Sequence, residues 1–233
     1  MLRKVLENYV KKTKNSNFKF HESITSMLLF SFAWSKLFAL LRSIKIISIT
    51  KLRKKVFLGK SVTFFNKKNI KLGNNVNIGD FVKIYALGEK PLVIGNNVNI
   101  GSFSQVVIST TFNMPGKFII IGNNVGIGEF SYLGGAGGLE IGENTIIGQY
   151  FSAHPENHNY SNQDILIREQ GVSRKGIVIG SNCWIGSKVT VLDGVKIGNN
   201  CVIAAGSVVT KPTPDNVLVA GVPAKVIKDL DAT

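Results

Sequence analysis

"LGNNVNIGD" (residues 72–80), "IGNNVNIGS" (94–102), "IGNNVGIGE" (121–129), "IGENTIIGQ" (141–149) and "IGSNCWIGS" (179–187) place an aliphatic residue at every sixth position, usually followed by glycine. That period is neither helical nor a simple strand alternation. Aligning the anchors gives the triplets 72, 78, 84; 94, 100, 106; 121, 127, 133; 141, 147, 153; 179, 185, 191; and 197, 203, 209, all Ile, Leu or Val except Ala153. Three anchors per unit imply three short strands and three corners per turn of a coil, with the anchors filling a triangular prism. Asn-Asn or Glu-Asn between anchors suits corners that need left-handed backbone. The chain from about residue 60 to 222 therefore reads as an all-β, stacked parallel β-helix in which each turn buries its core on the next.

Successive first anchors lie 22, 27, 20, 38 and 18 residues apart, so 18 is the bare coil and the excesses are 4, 9, 2, 20 and 0. Every excess falls after a third anchor, which sends all insertions out along one edge of the prism. The largest, about residues 154–176, begins in "FSAHPENHNY" (151–160) and holds His154 and His158, two of the three histidines in the chain. Repeat arrays place insertions on the functional face, and a long loop in a compact array usually carries function.

The 233-residue chain has 44% hydrophobic residues, enough for a continuous core, and 24 glycines without a collagen-like period. Its net charge of +14 would suggest a nucleic-acid partner if it were spread along the chain. It is not: residues 1–60 hold 14 Lys/Arg against Glu7 and Glu22, or +12, and residues 61–233 are left with +2. No nucleic-acid partner is expected. The charge belongs to an N-terminal appendage, residues 1–60, where "ITSMLLFSFAWSKLFALLRSIKIISI" is followed by the basic cluster "KLRKK". Ile24 to Leu41 is barely long enough to span a bilayer and contains Lys36; the long lysine-rich lead and the lack of a small-residue cleavage site argue against a signal peptide. On a helical wheel Leu29, Phe30, Ala33, Trp34, Leu37, Leu40, Leu41 and Ile44 share one arc, opposite Ser31, Ser35, Lys36, Arg42 and Ser43. The segment reads as a helix that either lies on an anionic membrane surface or packs on the domain.

Cys183 and Cys201, 18 residues apart, occupy the position two before an anchor, where Val76, Val98, Val125 and Thr145 stand in other turns. They read as small side chains of an inward ladder, reduced in a cytoplasmic protein. Carbonic anhydrases related by fold bring three histidines around zinc; with His21 in the appendage, the repeat region has only two, and no metal is expected.

Residues 177–228, "IVIGSNCWIGSKVTVLDGVKIGNNCVIAAGSVVTKPTPDNVLVAGVPAKVIK", resemble the hexapeptide-repeat acyltransferases, in particular the galactoside, maltose and surface-polysaccharide O-acetyltransferase branch. "WIG", "AAGSVVTK" and "AGVPAKVI" carry the likeness, and the looser hexads extend it back to about residue 70. The resemblance implies a left-handed β-helix over residues 61–233, a short C-terminal helix, a homotrimer, acetyl-CoA as co-substrate and a sugar or glycan hydroxyl as acceptor. A peripheral enzyme on the inner face of the membrane would meet both cytoplasmic acetyl-CoA and a lipid-linked precursor. N-acyl transfer to an amino sugar and a non-catalytic scaffold are the alternatives. In the family a loop histidine acts as general base on the acceptor hydroxyl, a task suited to imidazole at neutral pH. Counting 16 residues from Gly142 by the family's spacing reaches His158, whereas His154 shares only the "HP" context; the spacing favours His158, with His154 as its neighbour. The same likeness carries Trp184, Ser187, Ala205, Thr210, Lys211, Lys225 and Lys228 to the CoA groove, with lysine at 225 and 228 where relatives use arginine. Gly128 stands where galactoside acetyltransferases have an acceptor-binding asparagine, which points away from a simple galactoside.

Overall fold

The computed structural model describes residues 2–13, 16–46 and 54–230, and in it the anchors stack as the six-residue period requires. Three parallel sheets wall a triangular prism. The first face begins with Phe57–Leu58, the second with Thr63–Phe65 and the third with Ile70–Leu72, and each gains one strand per turn. Register is strict: Ile78, Ile100, Ile127, Ile147, Ile185 and Ile203 align along the first face. Ile84, Val106, Leu133, Ala153, Val191 and Val209 do so along the second. Every anchor of the six triplets is buried. The first rung starts at Phe57, upstream of the residue 61 at which the repeat was expected to open.

The corners explain the composition. Between the third and first faces Asn75, Asn97, Asn124, Asn144, Asn182, Asn200 and Asn216 all take left-handed φ of 54–60°. Their amides link rung to rung, Asn75 to Asn97 to Asn124 to Asn144 at 2.9 Å each, so the strained corner residue also closes a hydrogen-bond ladder. Between the first and second faces the left-handed position is held by Phe81, Phe103, Phe130 and Tyr150, whose rings stack 5.0–5.1 Å apart. Period counting did not signal this aromatic ladder. Gly128, in the same corner, has no room for a side chain: a Cβ there would lie 2.5 Å from the Gln149 backbone nitrogen.

Cys183 and Cys201 are free thiols inside the prism, as their ladder position predicts. Burial pushes the Cys183 thiol up to about 11. All four insertions leave where the second face passes to the third: after Tyr85, Val107, Gly134 and His154.

Two ends of the chain differ from expectation. Residues Ala224–Asp229 form no helix; they run back antiparallel to Val217–Gly221 as the last strand of the first face. Their Val226-Ile227 pair suits an edge strand better than a helix. At the other end α1 (Leu2–Thr13) and α2 (Ser26–Arg42) are helical as predicted, and the Thr25 hydroxyl caps α2 at the Leu28 N–H. Yet the apolar arc read for α2 does not face the domain as a unit. Leu29 and Ala39 are buried with Ser43, and two cations expected on the solvent side turn inward. Lys36 Nζ donates to Asn77 Oδ1 at 2.7 Å and Arg42 Nε to the Leu58 carbonyl at 2.7 Å. The Arg42 bond satisfies an acceptor on the edge strand that opens the prism. Part of the "KLRKK" cluster, residues 51–53, lies outside the described residues.

Candidate active site

The strand Ser152–His154 alternates outward, inward, outward, so Ala153 fills the prism and His154 projects from the insertion edge. Its imidazole packs face to face with Tyr132 on the preceding rung, ring centroids 5.3 Å apart and planes 23° from parallel. In register with His154 are Leu192 on the following rung and, one past the Leu133–Ala153 pair, Gly134 on the preceding rung. A Cβ on Gly134 would lie 2.8 Å from the Ala153 carbonyl and 3.0 Å from Pro155 Cδ, and one on Gly137 would strike the Pro155 carbonyl. The run Gly134–Gly138 thus lets the long loop leave the prism flush against the turn below it.

A cavity of about 170 Å³ opens at this point, walled by Thr110 and Thr111 of one insertion, by Tyr132 and His154, and by Glu156 and Arg174 of the long loop. Arg174 is its clamp. Its Nε meets Glu156 Oε2 at 2.6 Å, and its Nη1 donates to the Pro115 carbonyl at 2.9 Å, joining two insertions. The loop's return is fixed by Asp193, whose Oδ1 accepts from the backbone N–H of Lys175 and Gly176, both at 2.8 Å. Partial burial lowers the His154 pKa, which keeps the imidazole neutral at physiological pH, the form that accepts a proton. Burial first, and the Glu156 charge second, raise that of Tyr132, so its hydroxyl stays protonated.

His158 is elsewhere. It lies on the two-residue strand Asn157–His158, paired antiparallel with Val172–Ser173, and lines a separate open groove with Tyr160 and Ser173. The count from Gly142 favoured it, but the chain has already left the coil at His154, and beyond that point residue number no longer fixes height on the prism. The geometry brings His154, not His158, to the walled cavity. Tyr132, Thr110, Thr111 and Arg174 escaped the sequence reading, since they reach the cavity from three different turns.

The residues assigned to a CoA groove fall on three parts of the chain. Trp184 and Lys228 are in line across the first face, through Val202 and Leu218, with Lys225 on the same terminal strand. Ser187 and Ala205 sit on adjacent rungs at the corner between first and second faces, where Ser187 Oγ bonds Gln149 Oε1 at 2.9 Å. Thr210 and Lys211 directly follow the last strand of the second face, Val208–Val209. The register Ser152 to Thr190 to Val208 puts Thr210 on the edge of His154, two rungs along. At 4.7–4.9 Å per rung that is roughly 10 Å. One chain therefore brings Thr210 and Lys211 to the His154 edge and leaves the other five away from it. Among the described residues no three His, Cys, Asp or Glu side chains group as a metal site.

Residues 176–211 match the bacterial transferase hexapeptide family (six repeats). The chain is 41% identical over 98 residues to the galactoside O-acetyltransferase of Escherichia coli strain K12, covering 40% of this chain and 45% of that protein. It is 44% identical over 85 residues to a putative acetyltransferase of Saccharomyces cerevisiae, covering 36% and 40%. The alignments thus span less than half the length of these relatives. Among solved structures, a point mutant of AntD, an N-acyltransferase from Bacillus cereus in complex with dTDP and coenzyme A, covers 79% of this chain and 90% of its own at 21% identity, with a TM-score of 0.51. That likeness is one of fold.

Proposed function

We propose that the protein is an acetyl-CoA-dependent O-acetyltransferase acting on a hydroxyl of a surface glycan or its precursor, with His154 as general base. The observation that carries this reading is a neutral-biased imidazole on the wall of the cavity at the insertion edge, in line with Thr210 and Lys211. In the reaction a ring nitrogen of His154 takes the proton of the acceptor hydroxyl as its oxygen attacks the thioester carbonyl. The C–S bond then breaks, and the imidazolium returns the proton to the departing CoA thiolate. Tyr132 holds the imidazole plane by stacking, and Arg174 fixes Glu156 and the loop around it.

The Thr210 hydroxyl and Lys211 ammonium suit the polar and anionic parts of CoA approaching along the edge. Trp184, Ser187, Ala205, Lys225 and Lys228 serve CoA only if a neighbouring copy presents its first face and corner to this edge, which supports reading the protein as an oligomer, the homotrimer that the resemblance implies. The galactoside O-acetyltransferase and AntD both transfer acyl groups, by their names to oxygen and to nitrogen. Incubation with labelled acetyl-CoA and cell-derived glycan precursors tests the reading. A labelled product that releases its acetyl group to alkaline hydroxylamine is the expected ester; a hydroxylamine-stable amide would make the reaction N-acyl transfer, and no labelled product would leave a scaffold.

A further inference from the structure

Helix α2 docks on the prism through one side and turns a broader apolar side away. Phe30, Trp34, Leu37, Phe38, Leu41 and Ile44 project outward, each 44–62% exposed. At helical spacing they span an arc of about 120°. The rings of Phe30 and Trp34 stack at 6.2 Å and those of Trp34 and Phe38 meet edge to face at 5.3 Å, which makes the arc a continuous aromatic ridge. Such a surface is far more apolar than a soluble helix presents to water.

Charge identifies what covers it. Lys4, Lys11, Lys12, Lys19 and Lys45 are exposed around the ridge's own appendage. Of the two acidic residues there, Glu7 is already engaged by Arg3 and the Phe20 N–H. A second copy would bring the same positive excess against it, and the arc is wider than the seam two helices share. We propose that α2 seats the protein on an anionic lipid bilayer, its aromatic ridge at the boundary of headgroups and acyl chains and its lysines among the phosphates. The helix segment Ser26–Lys45 is also long and apolar enough to cross a membrane. Crossing would detach Lys36 from Asn77 and Arg42 from Leu58, and would take both cations into hydrocarbon, so α2 lies on the surface with those bonds intact.

The test uses the full-length protein and needs no acyl transfer, so its outcome is separate from that of the proposed activity. Flotation with phosphatidylcholine vesicles is compared with flotation on vesicles that also contain phosphatidylglycerol. The protein is expected to float with the anionic vesicles, to be released progressively by salt, and to show a vesicle-induced blue shift of tryptophan emission that Trp34→Phe removes. Phe30→Glu with Trp34→Glu should lower vesicle partitioning about tenfold or more, with far-UV circular dichroism and vesicle-free sedimentation unchanged. Failure of the wild type to float, equal flotation of the double variant, or a fall in the variant's oligomer mass would each overturn the proposal, the last by showing that copies of the chain cover the ridge.

Discussion

The rung that launches the long loop has its inward side chains in reversed sizes, and this can be tested by exchanging them. On the second face each rung buries two side chains: Ser131 and Leu133, then Phe151 and Ala153, then Val189 and Val191. Phe151 and Ala153 are both fully buried, and a phenyl ring two residues from so short an anchor is expected to fill the volume that the anchor leaves open. Phe151→Val alone leaves a void under a rigid rung and should cost about 2–3 kcal/mol. Ala153→Ile alone overfills a closed site and should cost about 1–3 kcal/mol. Together they restore the Val/Val-like pattern of the next rung, so the double variant should recover at least about 1 kcal/mol relative to the sum. For a chain of this size the Phe151→Val loss corresponds to a melting shift of about 4–12 °C. Urea denaturation followed by circular dichroism, with m-values compared across the four proteins, measures the cycle. Additivity within about 0.5 kcal/mol would refute the claim that these two residues share one volume.

Other perturbations bear on the site and the core. Arg174→Ala removes a sheltered ion pair and the link between two insertions; it should cost about 1–2 kcal/mol, or a melting shift of about 2–8 °C, with a larger loss in kcat than in CoA affinity. The acid limb of kcat/KM should fall below pH 6.5, because burial disfavours the imidazolium of His154 and the neutral form is the active one. By the same linkage, protonation favours the unfolded chain, so this group's stabilising contribution is full above pH 6.5 and is lost as pH drops from there to the lower folded-state value. Differential scanning fluorimetry across that window checks the sign. Cys183, with its thiol raised to about 11, should resist a thiol reagent at pH 8 in the folded protein and react at once after denaturation.

The prism was legible because its signal is periodic and each anchor repeats the same burial requirement; the triplets ending in Ala153 and Val209 occupy the register that counting gave them. The insertion edge was legible for the same reason, since the excess residues all fell after one anchor. The site was only half legible. Counting led to His158, which lies past the point where the chain leaves the coil, whereas the cavity wall holds His154, and the clamp Arg174 reaches that cavity through a fold of the loop that no period encodes. The stacked Phe81, Phe103, Phe130 and Tyr150 also escaped notice, since aromatic residues are poor candidates for left-handed corners until their rings are seen to support one another. At the appendage, amphipathicity located α2 but not which side docks, because Lys36 and Arg42 find specific acceptors on the first rungs. The C-terminal segment paired as a strand because the edge of the first face was open beside it.

The central claim is that His154, and not His158, removes the acceptor proton. Steady-state kinetics of His154→Ala and His158→Ala with acetyl-CoA and the identified acceptor test it directly. The account predicts a fall in kcat of about 10²–10⁴ for His154→Ala with CoA binding retained, and a change of no more than about threefold for His158→Ala. A large loss in His158→Ala with near-normal turnover in His154→Ala would contradict it.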